Sequence, residues 1–305
     1  MPELPEVETV VSELRPLLKN KVIRQVEVRS PKLIAVGPLT LSNVRKSNSV
    51  AAKKFAQILK GKKITGVQRR AKLIIIDIAG KFAILVHLKM TGQLIFLEKK
   101  QLNKKIKLLN IETFQPITLP SKWTHVIFTF TDGSKLFFND LRQFGYLKLV
   151  KDSEIDQVKE LNEFGPEPLK INFAIAKFIN ILSKRPKMKV KLFLMDPKII
   201  AGIGNIYSDE ILFFAKIRPG RIVKTLTKSE EQRLFKAIKE VLKDAVRHNG
   251  SSVGDFVRPS GAWGKYGRLH KVYGRAGLKC KVCGSIIKSM KFSGRTGSFC
   301  PVCQK

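Results

Sequence analysis

With 305 residues, 58 Lys+Arg against 24 Asp+Glu and a formal charge of +34, the chain is strongly basic and long enough for two or three domains. Its 44 % apolar content excludes a disordered chain, and apolar runs such as Leu73–Ile76 fall far short of the roughly 18 residues of a membrane span. Glu3, Glu6, Glu8 and Glu13 stand where a signal peptide would carry its basic leader and apolar run, so a soluble, intracellular protein is expected. The charge surplus calls for a polyanionic partner. Nucleic acid is the usual one, because each Lys or Arg on a phosphate releases counterions; a generally lysine-rich, solvated surface is the alternative.

In chain order, Leu4, Val7, Val10, Val11 and Leu14 share one face and predict an N-terminal helix, with Glu3, Glu6 and Glu13 largely off that face. Pro2 and Pro5 are tolerable there, because first-turn N–H groups have no helical partner. From about Lys21 to Val150 the pattern changes to short β-rich runs: Val22–Val28, Leu73–Ile78, Phe82–Leu88 and Thr124–Phe130, the last followed by an Asp132-Gly133 hairpin turn. Few helices are expected in this region, which reads as a β-sandwich or barrel. The Lys-rich stretch 99–123, with Pro116 and Pro120, reads as an exposed loop or insertion.

Residues 151–168 turn polar and end in Gly165-Pro166-Glu167-Pro168, a linker. Beyond it the periodicity is helical. Asn172–Ser183 carries Phe173, Ile175, Phe178, Ile179 and Leu182 as a stripe, and a second helix over Ile206–Lys216 follows Asn205 as its N-cap. Thr227-Lys-Ser-Glu230 is a capping box with Leu226 placed as a hydrophobic staple, and that helix ends at Asn249-Gly250.

All four cysteines lie in the last 26 residues, as Cys280-Lys-Val-Cys283 and Cys300-Pro-Val-Cys303 with 16 residues between the pairs. Two such knuckles match a zinc site. Four thiolates leave no open coordination position, so the metal is structural. A disulfide framework would spread cysteines along the chain, and no βαβ pattern surrounds either pair to suggest a redox centre. Residues 251–305 carry eleven Lys/Arg and one acid, with glycines and aromatics interleaved from Gly261 to Arg268. A zinc-pinned hairpin with Arg295 between its knuckles suits a DNA backbone; taken alone, it equally fits a ribosomal or transcription protein.

Met1-Pro-Glu-Leu-Pro-Glu-Val-Glu-Thr9, then His87-Leu-Lys-Met90-Thr-Gly92, then Ile200-Ala-Gly202-Ile-Gly204-Asn205-Ile-Tyr207-Ser-Asp-Glu210 and finally the zinc site stand in one order. On these motifs the chain resembles the formamidopyrimidine-DNA glycosylase family from residue 2 to 304. The resemblance implies an α+β multidomain fold: an N-terminal β-sandwich catalytic domain with its helix over 1–150, the linker 151–168, a helix–two-turns–helix DNA-binding domain with a lesion loop over 169–268, and a β-hairpin zinc finger over 269–305. It implies a bifunctional DNA glycosylase and abasic-site lyase of base excision repair, acting on oxidised purines in double-stranded DNA, with one structural Zn2+. A monomer in the bacterial cytoplasm, held at the nucleoid by DNA, is expected.

Site residues follow from the same resemblance. Pro2, freed of Met1, is implied as the nucleophile: its secondary amine attacks the anomeric carbon and forms an iminium, which acidifies the neighbouring sugar proton and permits elimination. A model α-amine has a pKa of roughly 8, so a carboxylate that manages its proton is useful; Glu3 is implied for this and Glu6 as a supporting acid. Read without the family, both simply favour a helix N-terminus. Lys72 is implied as proton donor in β-elimination and Arg295 in δ-elimination, where residue type alone gives an edge-strand lysine and an ordinary backbone contact. Met90, Arg142 and Phe144 are implied to fill the void left by the extruded base; on their own, Met90 and Phe144 read as core. Gln143 and Leu141 depart from the Asp-Pro-Arg-Arg-Phe-Gly form of some members. Lys187, Lys191, Asn205 and Tyr273 are implied phosphate contacts, whereas Trp123 replaces a phosphate-contacting histidine of some relatives and cannot act as a cation. The glycine-rich loop 250–267 reads as a mobile lid over the lesion or as a plain linker. Two rivals remain: an endonuclease VIII-like enzyme for oxidised pyrimidines, whose members typically begin Pro-Glu-Gly-Pro-Glu, and a zinc-finger DNA binder without catalysis.

Overall fold

The computed structural model describes residues 1–38, 48–102, 106–109, 116–254 and 256–305. They pack as two compact units. One comprises Met1–Pro2, Glu6–Asn162 and Asn249–Gly264, and the other Glu3–Pro5, Glu163–His248 and Lys265–Lys305.

In the first unit the helix α1 (Leu4–Leu18) buries Val7, Val10, Val11, Leu14 and Leu18, the face its periodicity predicts. Strands β1 (Ile23–Val28), β2 (Ile34–Val36), β3 (Ile64–Arg70), β4 (Leu73–Ile78), β5 (Phe82–His87), β6 (Gly92–Leu97), β7 (Ile106–Leu109), β8 (Pro116–Ile117), β9 (Thr124–Phe130), β10 (Lys135–Asp140) and β11 (Tyr146–Lys151) follow. One sheet runs β1-β9-β10-β6 and a second runs β2-β11-β5-β4-β3. Alternation along the strands explains why they stack. Val126, Phe128 and Phe130 of β9 and Leu136 and Phe138 of β10 share one core with Ile74 and Ile76 of β4 and Ile84 and Val86 of β5. The intervening Ile127 and Phe137 pack instead with Ile95 and Val257 on the other face. This is the expected sandwich.

A helix that the β-rich reading omitted, α2 (Ser49–Leu59), closes the core with Ala52, Phe55 and Leu59; the Asn48 side chain caps it by accepting from Ala51 N at 2.9 Å. Of the expected loop over 99–123, residues 103–105 and 110–115 lie outside the described residues, and the short strands β7 and β8 pair antiparallel. The expected linker carries a 3-10 segment, Asp152–Gln157, and one helical turn, α3 (Lys159–Asn162).

The second unit contains α4 (Ile175–Ser183), α5 (Val190–Met195), α6 (Asn205–Phe214), α7 (Lys228–Arg247) and the hairpin β12 (Lys288–Phe292)–β13 (Arg295–Phe299). Phe178, Phe193, Tyr207, Leu234, Ile238 and Leu242 form its core. The capping box of α7 is complete: Glu230 N donates to Thr227 Oγ1 at 3.3 Å, and Thr227 N to Glu230 Oε2 at 2.9 Å. Asn205 is the first helical residue of α6 and not its N-cap, which is Gly204. The helices of the described residues include none long and apolar enough to cross a membrane.

Candidate active site

Pro2 is buried in the first unit, and with Met1 in place its nitrogen is an amide without nucleophilic character; Met1 itself is 47 % exposed. Glu6, buried on the first turn of α1, spends Oε1 on the N–H of Ser251 at 2.7 Å. The segment Asn249–Gly264 is therefore anchored at several points. Arg258 pairs with Glu13, Phe96 N donates to Pro259 O at 3.0 Å, and Phe256 enters the sandwich core. The loop expected as a lid is thus tied down along much of its length, because three of its residues satisfy buried or charged partners on α1 and β6.

Lys72 sits in the two-residue turn between β3 and β4, after Ala71 at φ 55°. A non-glycine residue there is strained, and its surroundings hold it. Arg69 Nη1 donates to Ala71 O at 2.9 Å, while Arg69 Nε pairs with Glu8 at 2.7 Å. Across the sheet from Leu73 lies His87, whose Nδ1 accepts from Lys89 N at 3.0 Å. Burial, reinforced by the Lys89 and Lys72 charges, pushes the His87 imidazole down to about 3. It is therefore neutral at working pH, and the cations beside it set the local potential.

Met90, Arg142 and Phe144 converge. Arg142 Nη1 lies 3.0 Å from Met90 Sδ and its guanidinium 4.7 Å from the centre of the Phe144 ring. Met90 and Phe144 are exposed, 39 % and 46 %, so they are not core residues. Their loop is nailed from beneath by buried Asp140, which accepts from the Thr91 hydroxyl and, at 2.7 Å, from Gly145 N. Trp123 accepts from Asp140 N at 3.0 Å, and the Lys122 ammonium stands 4.9 Å from its ring centre.

In the second unit, α6 organises everything. The Glu3 carboxylate receives N–H groups at its N-terminus: Gly204 at 2.6 Å, Ile206 at 2.8 Å and Tyr207 at 3.3 Å. These are orphan donors of a first helical turn, to which a carboxylate is well matched. Gly204 is required, since a Cβ there would stand 2.5 Å from the Glu3 carboxyl carbon. Two acids that the sequence reading left without a role do related work from the helix itself. Buried Glu210 accepts from Lys271, Val272 and Tyr273 N at 2.8–3.0 Å, fixing the segment that carries Tyr273. Buried Asp209 accepts from Ser298 N at 2.8 Å and pairs with Lys191 Nζ at 2.5 Å. Their signal was present in Tyr207-Ser-Asp-Glu210, where two adjacent acids lie in an otherwise apolar helix.

Lys191 has no accessible side-chain surface. The phosphate contact expected of it is not available, because its ammonium is spent on Asp209 and on Ser208 Oγ at 2.9 Å. Burial lowers the Lys191 ammonium and raises the Asp209 carboxyl, and their mutual attraction opposes both shifts. Asn205 donates through Nδ2 to Thr296 O at 2.9 Å, while its Oδ1 is buried without a hydrogen-bond partner. The Tyr273 hydroxyl is pushed up by burial and by the charges of Glu3 and Asp209. Lys187 is exposed between α4 and α5, and Arg295 is exposed just after the turn Ser293-Gly294, whose φ angles of 43° and 80° fit a tight hairpin. The two units thus divide the expected residues: Pro2, Glu6, Lys72, Met90, Arg142 and Phe144 in one, Glu3, Lys187, Asn205, Tyr273, Arg295 and the cysteines in the other.

The cysteine sulfurs all lie within 4.8 Å of one another. Cys280 and Cys303 are separated by 3.9 Å and Cys283 and Cys300 by 3.5 Å, close to the ~3.8 Å edge of a tetrahedron with Zn–S of about 2.3 Å. Val282 N and Cys303 N point at Cys280 and Cys300 Sγ at 3.4 and 3.3 Å. The donor set fits one zinc ion and leaves it no position for substrate.

Four thiols converging beneath an exposed basic hairpin define a protein with a structural zinc finger joined to a helical domain. Residues 1–147 match the formamidopyrimidine-DNA glycosylase N-terminal domain, 164–257 the formamidopyrimidine-DNA glycosylase H2TH domain, and 277–305 the zinc finger found in FPG and IleRS. The chain is 37 % identical over 305 residues to the formamidopyrimidine-DNA glycosylase of Carboxydothermus hydrogenoformans, covering all of both chains. It is 31 % identical to Lactococcus lactis Fpg in complex with DNA containing an abasic site, with a TM-score of 0.81 and 99 % of each chain covered. A mutant of that Lactococcus lactis protein with DNA containing Fapy-dG is 32 % identical, also at a TM-score of 0.81, with full coverage of both chains. The chain belongs to the formamidopyrimidine-DNA glycosylase family.

Proposed function

We propose that this protein is a bifunctional DNA glycosylase and abasic-site lyase of base excision repair that removes oxidised purines, 8-oxoguanine and formamidopyrimidines. The processed Pro2 nitrogen attacks the anomeric carbon; its lone pair forms the new C–N bond as the damaged base departs with the glycosidic electron pair and a proton. Ring opening gives an iminium. Loss of the adjacent sugar proton then expels the 3′ phosphate, and a second elimination expels the 5′ phosphate, leaving a one-nucleotide gap. Glu3 manages the proton of the amine and Lys72 serves the first elimination. Arg295 serves the second. Met90, Arg142 and Phe144 occupy the space of the extruded base, while Lys187, Asn205 and Tyr273 hold phosphate. Glu6 acts by holding the loop 249–264. The zinc, bound by Cys280, Cys283, Cys300 and Cys303, shapes the finger.

The observation that carries this reading is the Glu3 carboxylate, covalently next to Pro2 and fixed by the N–H groups of Gly204, Ile206 and Tyr207. A non-catalytic DNA binder has no need of a buried acid beside a terminal secondary amine. The family relatives' abasic-site and Fapy-dG DNA supports the substrate class. Leu4 in Pro2-Glu-Leu4-Pro-Glu6 favours purine over pyrimidine lesions. The functional divisions are a catalytic sandwich over 1–150, a linker over 151–168, a helix–two-turns–helix region over 169–268 and a finger over 269–305, acting as a monomer in the bacterial cytoplasm. Base release from duplexes carrying 8-oxoguanine or thymine glycol tests the substrate: faster release of 8-oxoguanine is expected, and faster release of thymine glycol contradicts it.

A further inference from the structure

The finger hairpin carries Arg295 at the start of its second strand, and one edge of that strand is bonded to α6. Thr296 O accepts from Asn205 Nδ2 at 2.9 Å and Ser298 N donates to Asp209 Oδ2 at 2.8 Å. Residues two apart in a strand direct their backbone groups to the same side, so these two bonds engage one edge of β13, three residues from Arg295 and closer. The other carboxylate oxygen of Asp209 holds the Lys191 ammonium at 2.5 Å, with both side chains fully buried. Lys191 in turn supports the strand by contact. A Cβ on Gly297 would stand 2.9 Å from its Cδ and Cε, so the backbone lies directly on the lysine stem. The same helix, four residues earlier, receives the Glu3 carboxylate on its first N–H groups. One rigid element therefore sets both the acid beside the nucleophile and the strand that carries the finger arginine.

We propose that Asp209, through its bond to Ser298 N and its pair with Lys191, is a positioning residue for Arg295 and thereby controls the second elimination separately from the first. This rests on the reaction proposed above. Asp209 touches no substrate; it acts by fixing where the hairpin tip is held. Removing it frees one of the two bonded points on the edge of β13 and lets the tip move, while the Glu3–α6 bonds and the Lys72 turn stay intact. Displacing a catalytic group by about 1 Å costs up to about a hundredfold, so the loss falls on the step that uses Arg295.

The test uses the processed, zinc-loaded full chain on a duplex with a single abasic site, scoring the ratio of doubly to singly eliminated product and the yield of borohydride-trapped adduct. Asp209→Leu removes the acceptor of Ser298 N but leaves Lys191 without its counter-ion. Asp209→Leu combined with Lys191→Met removes both buried charges, which keeps the protein foldable if the single variant is unstable. In the variant that folds, with zinc content equal to wild type, the product ratio is expected to fall about tenfold or more while trapping stays near the wild-type yield. An unchanged ratio, or a ratio and trapping yield that fall together, overturns the role given to Asp209. A wild-type protein that forms no trapped adduct overturns the reaction itself, before any variant is compared.

Discussion

Glu3→Gln is expected to slow base excision by about 10²–10⁴-fold, the usual scale for a positioned acid or base, with the protein still folded. The carboxylate uses both oxygens: Oε1 takes the N–H of Ile206, and Oε2 those of Gly204 and Tyr207. An amide has one oxygen, so its NH2 must face at least one of these donors. Losing a charge-assisted bond and facing a donor with a donor costs about 1–3 kcal/mol. That is a fraction of the stability of a unit whose core includes Phe178, Phe193, Tyr207 and Leu242. In the proposed mechanism the chemical loss is larger, because the group next in sequence to Pro2 can no longer accept its proton. Single-turnover release of 8-oxoguanine, with thermal unfolding measured in parallel, separates the two effects. A rate within about threefold of wild type would remove Glu3 from the chemistry.

Cys300→Ala is expected to abolish zinc binding and to disorder the finger while leaving the helical core folded. Cys300 is fully buried among Val272, Cys280 and Ile287, a cluster too small to hold itself together. Metal coordination supplies about 10–16 kcal/mol to such structures in small zinc-finger peptides. Cys300 also anchors the end of the chain, since its N–H donates to Gln304 Oε1 at 2.8 Å and Gln304 Nε2 donates to Ile217 O at 2.8 Å. Duplex affinity should fall by at least about tenfold, because Arg295 and the other finger cations lose their fixed arrangement. Metal analysis should find one zinc per wild-type chain and none in the variant; a zinc-free variant that binds duplex as tightly as wild type would contradict the assignment.

Much of the fold was legible because its signals are local. The apolar face of α1, the strands β4 and β9, the Asp132-Gly133 turn and the Thr227–Glu230 box each express a rule that acts over a few residues. The zinc site was legible for the same reason: four thiols at a fixed spacing have few alternative uses. What escaped depends on partners distant in sequence. α2 is short, and its apolar positions gain meaning only against β1 and β2. The resemblance implies a phosphate contact for Lys191, whereas its ammonium lies against Asp209, 18 residues on. Glu210 and Asp209 could not be assigned because each serves backbone N–H groups more than 60 residues away. Asn205 has the residue type of a side-chain cap, whereas the first N–H groups of α6 are taken by Glu3, about 200 residues earlier. Met90 and Phe144 show the reverse case: residue type argued for burial, and the resemblance alone placed them in solvent, where the structure has them.

The most direct measurement is borohydride reduction of the processed protein turning over 8-oxoguanine duplex, followed by mass mapping of the cross-linked peptide. Intact mass should first show Met1 removed. The account predicts a covalent adduct on the peptide beginning Pro2-Glu-Leu-Pro, bonded through the terminal nitrogen. An adduct on Lys72 or any other residue, formed by a preparation that cuts the duplex, would contradict it.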